Sequence, residues 1–288
     1  MIFCFYDGGR LGTVTHGRVT PVPAEVVPAA ASAQQRLESL IASYDRQRDA
    51  LAALASDPAL THLPIAEVSL EAPVPSPRQL LCAVKNYADD RTGVAADFFL
   101  KSPLSIVATG ATVTLPPIEA RVFHHEPELA AVIGVGGRDI PADRAMSHVF
   151  GYTGFLDLSA RDVGTTYYMK KSFGGFGPMG PVLVTADEIP DPHDLTVELS
   201  VNGEVRQRFS TGQMANRIDR LIEVASSVSG IAPGDVIATG TYHIGMGPVQ
   251  DGDHVSMTVE RIGELTVDVV DPSHRSWTHA GVAAVTPA

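Results

Sequence analysis

The chain has 288 residues, 44% hydrophobic and 19% charged, with a formal net charge of −12 and a pI near 5.2. This is long enough for one large domain or a large one with a small companion, and a surface so acidic argues against nucleic acid or an anionic membrane as partner. Two cysteines, Cys4 and Cys82, make neither a disulfide framework nor a CxxC metal motif, and no apolar run approaches the ~20 residues of a membrane span.

The opening "MIFCFYDGGRLGTVTHG" reads as a β-hairpin turning at Asp7-Gly8-Gly9. It has no basic n-region, so the expectation is a soluble cytoplasmic protein. A helix follows, with Leu37, Leu40, Ile41, Tyr44, Leu51 and Leu54 at helical spacing. "EAPVPSPRQ" (71–79) is proline-rich and aperiodic. It separates a small N-terminal α/β unit of hairpin plus helix (1–75) from a larger domain (76–275) and a short C-terminal tail (276–288).

In the larger domain "LLCAV", "ELAAVIGV", "GPVLVT", "LTVELSVNGEV", "DVIATG", "HVSMTVE" and "LTVDVV" read as strands, with Asn202-Gly203 as a type I′ turn. Two helices are expected, one over 143–149. The other follows Thr211, with Met214, Ile218, Leu221, Ile222, Ala225 and Val228 on one face and Gly230 as its stop. Strands outnumber helices without alternating with them, which predicts a β-rich α+β fold.

The stretch "FHHEPELAAVIG" (123–134) sets two glutamates at the threshold of an apolar strand. Alternation along a strand points Glu126 and Glu128 the same way, and Pro127 puts them at the strand's first residues or on an edge. Spacing alone leaves open a solvated pair. Asp157, in the apolar setting of "GYTGFLDLSARD", offers a third acid, and three converging carboxylates would suit Mg²⁺, Mn²⁺ or Ca²⁺. Asp157 as a plain turn residue is the alternative, although Asp162 suits that role better. Of His124 and His125 only one can join the glutamates, and HExxH spacing is absent, so zinc is disfavoured. "GFGPMG" satisfies GxGxxG, but Pro178 and Pro181 and the strand that follows exclude a dinucleotide turn.

The ordered set "HHEPELAAVIG", "GYTGFLDLSARD", "KKSFGGFGPMGPVLV", "VNGEVRQ", "PGDVIATGT" and "GMG" resembles the fumarylacetoacetate hydrolase family from about residue 80 to 270. The N-terminal unit is similar to its acylpyruvate hydrolase and oxaloacetate decarboxylase branch. The resemblance implies a mixed β-roll catalytic domain, a homodimer, and a divalent metal on Glu126, Glu128 and Asp157. It implies Lys171 beside the metal, and Lys101, Tyr87, Arg161 and Thr241 toward the substrate; a departure from the family's "TGTP" turn, "TGTYHIGMG" here, places Tyr242 near the carboxylate-binding end. Family substrates are 2-oxo acids, whose enolate the metal and Lys171 would stabilise when a C–C bond breaks.

In hydrolytic members a His and a Glu on a lid activate water. Here "KNYADDRTG" has Asp90 and Gly93 at those places. Asp90, or His243 in "TGTYHIGMG", is left as candidate base. The implied reaction is hydrolysis of a 2,4-dioxo acid of acylpyruvate or fumarylpyruvate type. The alternatives are decarboxylation or keto–enol tautomerisation of an oxaloacetate-like acid, hydration or dehydration of an unsaturated 2-oxo acid, and a non-catalytic metal-binding relative.

Overall fold

The computed structural model describes residues 1–87 and 93–278. Asp90 lies outside the described residues. A twelve-stranded mixed sheet carries the chain's most apolar segments. At its middle is Pro127–Ile133, antiparallel to Val149–Leu156 on one side and to Val236–Ala238 on the other. Val236–Ala238 leads outward to the parallel strand Leu80–Ala83 and the edge strand Phe98–Leu100. In the other direction Val149–Leu156 pairs with Gly177–Thr185, which pairs with Ile2–Tyr6 of the N-terminal hairpin. The hairpin turns at Asp7-Gly8-Gly9, all three at positive φ, as its sequence predicts.

Five further strands form a second sheet in the order Glu204–Ser210, Thr196–Val201, His254–Val259, Gly263–Val270 and Ala111–Thr114. Asn202 and Gly203 close its hairpin at φ 53° and 80°, as a type I′ turn requires. Leu199, Val201, Met257, Val259 and Leu265 from this sheet share a buried cluster with Leu129, Ala131, Ile133 and Tyr152 of the large one. The opposite face of the large sheet is covered by the helix Ala33–Ser56, capped by Ser32 Oγ, which accepts from Gln35 N at 3.2 Å. Leu37, Leu40 and Leu51 pack there on Phe3, Phe5, Ala130, Val132 and Phe155. The central strand is therefore covered on both faces, and all of Pro127–Ile133 is buried. Sheet residues outnumber helical ones throughout, a β-rich α+β fold.

The helix Ile218–Val228 buries Ile218, Leu221, Ile222 and Ala225, and the chain leaves it through Gly230 at φ 70°. The helix expected over 143–149 is found one residue earlier, as Ala142–Ala145 running directly into a 3₁₀ turn, Met146–His148. It lies against the helix Ile218–Val228, where Ala145 joins the core and Ala142 N donates to Glu223 Oε1 at 3.3 Å. Of the C-terminal tail, Trp277 is fixed by Nε1 donating to the Arg121 carbonyl at 2.6 Å. Among the described residues no helix is long and apolar enough to cross a membrane.

Candidate metal centre and active site

The ladder Pro127↔Leu156 continues one step further, because Asp157 N donates to the Glu126 carbonyl at 2.9 Å. Glu126 and Asp157 therefore stand opposite each other where two central strands begin and end. Glu128, two residues along the strand, projects to the same side. The three residues are at most 5% exposed, and an oxygen from each lies within 4.8 Å of the others. Alternation pairs the two glutamates in the sequence and the apolar setting of Asp157 offers the third acid; the fold brings the three together.

Buried carboxylates need compensation. Lys171 ends the short helix Tyr167–Lys171, and its Nζ donates to Glu126 Oε2 at 2.7 Å and to Asp157 Oδ2 at 2.5 Å. Lys101, just after the edge strand, donates to Asp157 Oδ1 at 2.5 Å and to the Leu158 carbonyl at 3.3 Å. Arg161 meets Glu126 Oε1 and donates Nε to His124 Nδ1 at 3.0 Å. Ser159 Oγ reaches Glu126 Oε1 at 3.1 Å. Asp157, Ser159 and Arg161 alternate onto one side, a period-two signal that could have revealed Ser159 in the sequence. No such signal marks Lys101, which follows a strand of only three residues.

Burial alone would raise the Glu126 carboxyl, but Lys171 and Arg161 outweigh it and hold the pKa well below the ordinary 4.5. Glu128 goes the other way. Burial and the nearby Asp157 push it well above that value, opposed in part by Lys171 and by the Gly240 N–H, which donates to its Oε2 at 2.8 Å. Burial would lower Lys171, yet Asp157 and Glu126 raise it, so it stays an ammonium. Two carboxylates with matched cations and a third that remains electrostatically strained make an all-oxygen donor set. A hard dication fits that set, because it would relieve the strain at Glu128.

Around this centre the chain places most of the other predicted residues. Thr241 is buried in the turn after Val236–Ala238, and its neighbour Tyr242 packs toward Phe209 with ring centroids 6.1 Å apart. Tyr87 is buried edge-on against the same Phe209 at 5.1 Å, and burial raises its phenol pKa. His243 is exposed in the turn, where the protein around its ring and the Arg161 and Lys171 charges, against Glu126, lower the imidazole below its ordinary 6.5. His124 is pushed down to about 3 by burial and Arg161. The other adjacent histidine, His125, turns instead to Gln207, Nδ1 to Oε1 at 2.8 Å. "GFGPMG" enters the strand Gly177–Thr185, with no helix after it to bind a pyrophosphate.

Residues 79–270 match the family model "Fumarylacetoacetate (FAA) hydrolase C-terminal". The chain belongs to the fumarylacetoacetate hydrolase family. It is 32% identical to a maleylpyruvate hydrolase of Aquipseudomonas alcaligenes, across 93% of this chain and 99% of that protein. The crystal structure of a maleylpyruvate hydrolase from Sphingobium sp. SYK-6 in complex with manganese(II) ion and pyruvate superposes with a TM-score of 0.85 at 36% identity, over 94% of this chain and 99% of that one. The oxaloacetate tautomerase YisK of Bacillus subtilis is 38% identical over 70% of this chain and 73% of its own length.

Proposed function

We propose that this chain is a divalent-metal-dependent hydrolase that cleaves a C–C bond of a 2,4-dioxo acid of the acylpyruvate type. The observation that carries the reading is the buried convergence of Glu126, Glu128 and Asp157 on one point, with Lys171 against two of them. The near full-length similarity to maleylpyruvate hydrolases supports it, and makes maleylpyruvate the first substrate to try.

Glu126, Glu128 and Asp157 would hold Mg²⁺ or Mn²⁺, and that ion would supply Lewis acidity toward the 2-oxo acid end of the substrate. Lys171 brings an ammonium to the same spot, where negative charge gathers on the 2-oxo oxygen as the C3–C4 bond breaks. Lys101 fixes Asp157 from behind, while Arg161 and Thr241 provide a cation and a hydroxyl for the substrate carboxylate. The aromatic rings of Tyr87 and Tyr242 flank that end of the site. His243, neutral at pH 7 with its lowered pKa, takes a proton from the water that adds to the C4 carbonyl. Its position in the turn beside Arg161 and Glu126 supports that role. Water's oxygen ends in the released acid, and the bond pair passes to C3 to give pyruvate after protonation.

Tautomerisation of an oxaloacetate-like acid is the second reading. It needs no activated water, which suits a chain with Asp90 and Gly93 in place of a lid His-Glu dyad, and a tautomerase is among its relatives. Maleylpyruvate and oxaloacetate assayed side by side, with and without Mn²⁺, separate the two. The hydrolase reading expects pyruvate and a second acid from the first substrate only. A shift in the oxaloacetate keto–enol ratio without cleavage of either substrate would favour the other.

A further inference from the structure

The "VNGEVRQ" segment has no part in the chemistry above, yet its last residue reaches the site. In the hairpin the ladder steps from Leu199↔Gln207 to Ser200↔Val205, so Arg206 is an extra residue and the strand is bulged there. Bulges re-aim the side chains beside them. Two contacts show what this one meets. A Cβ on Gly245, at φ +81°, would lie 1.9 Å from the Arg206 carbonyl oxygen, so the turn after Val236–Ala238 rests with its backbone directly on the bulge. Next to it Gln207, 1% exposed, donates Nε2 to the Tyr242 carbonyl and, at 3.4 Å, to Thr241 Oγ1.

The other end of the amide faces His125 Nδ1 at 2.8 Å. A carbonyl can only accept, so the Tyr242 contact fixes the amide's orientation and with it the His125 proton on Nδ1. Gln207 thus ties the residue before Glu126 to the turn that bears Thr241 and His243. A buried amide with three polar partners does more than fill space, which an apolar side chain would do at lower desolvation cost.

We propose that Gln207 is a positioning residue: seated on the bulge, it sets where the 239–247 turn stands over the acidic trio, and thereby the affinity for the carboxylate end of the oxo acid. The proposal rests on the reading of that trio as a metal site and of the turn as the substrate's seat. Calorimetry on the full chain tests it, first with Mn²⁺ alone and then with oxalate at saturating Mn²⁺. In Gln207→Leu and in Gly245→Ala, oxalate affinity is expected to fall about tenfold, since a displaced seat weakens binding steeply, while Mn²⁺ affinity stays within about twofold of wild type. In turnover the same variants raise KM more than they lower kcat.

Wild-type oxalate affinity in Gln207→Leu, with only a lower melting temperature, overturns the proposal. A parallel loss of Mn²⁺ affinity overturns it too, since the trio itself would then depend on Gln207. If Gln207→Leu does not fold, Gln207→Glu carries the same expectation, because it keeps the acceptor toward His125 and loses the donor toward Tyr242. A wild type that binds no Mn²⁺ overturns the metal assignment, and this proposal with it; a wild type that binds Mn²⁺ but no oxalate overturns the substrate's seat.

Discussion

Glu198 and Arg208 face each other across the outer sheet at 3.3 Å, with side chains 37% and 71% exposed. Glu126 and Lys171 meet at 2.7 Å at the threshold of the large sheet's central strand, with side chains 6% and 5% exposed. The residue chemistry is the same and the physical situation opposite. In Thr196–Val201 burial alternates, so its polar side chains stay in water, whereas Pro127–Ile133 lies between a helix layer and a second sheet and is buried at every residue. Charges on the outer strand are free to pair or not. Charges at the threshold of the central strand must be answered at once, by lysine, arginine or a metal ion.

The contrast is most easily broken at Lys171. Lys171→Met removes the ammonium and leaves Glu126 and Asp157 buried with less compensation, which is expected to cost about 3–5 kcal/mol in urea unfolding. Saturating Mn²⁺ should recover part of that loss in the variant, because the ion restores positive charge to the same oxygens. No recovery would mean that the cluster is a structural ion-pair network only.

An intermediate case is Asp271, fully buried beside a partly exposed Arg275. The Arg275 hydrogen bonds, against the cost of burial and helped by the Ser273 and Arg275 N–H groups, hold its carboxyl down at about 2 from the ordinary 3.8. The folded pKa lies below the unfolded one, so the contribution is present above pH ~4 and is lost as pH falls toward 2. It amounts to about 2 kcal/mol. Comparing unfolding of wild type and Asp271→Asn between pH 5 and pH 2 should show the wild-type advantage shrinking over that window. The smallest effect belongs to the outer pair: Arg208→Ala is expected to change stability by less than about 0.5 kcal/mol, and less still at high salt.

The sequence made the acidic centre legible because a strand has a period of two. Alternation pairs Glu126 with Glu128 and the apolar setting of "GYTGFLDLSARD" offers Asp157, while Arg161 comes only through the family resemblance; Asn202-Gly203 and Asp7-Gly8-Gly9 name their turns through backbone geometry. What stayed hidden depends on distance in the fold. Lys101 is reached only through the family resemblance, which puts it toward the substrate; its bond to Asp157, 56 residues away, is made from beside a three-residue edge strand that has no pattern to read. Gln207 reaches the 239–247 turn only because the ladder slips by one residue at Arg206, and a bulge leaves no periodic trace. The helix expected over 143–149 is present one residue earlier, with its last turn tightened to 3₁₀, because its local pattern is adequate and the helix Ile218–Val228 lies beside it.

The central claim is that Glu126, Glu128 and Asp157 grip one divalent cation, and Glu128 is the sharpest place to ask. Its carboxyl is the member of the trio that burial and Asp157 leave poorly compensated, so replacing it by an amide should spare the fold while removing a metal ligand. Calorimetric titration of Mn²⁺ into wild type and Glu128→Gln is the direct measurement. We expect one ion per wild-type chain and at least about a tenfold weaker affinity in the variant, both proteins melting at similar temperatures without metal. Equal Mn²⁺ affinity in the two, or no binding to wild type at all, would contradict the account.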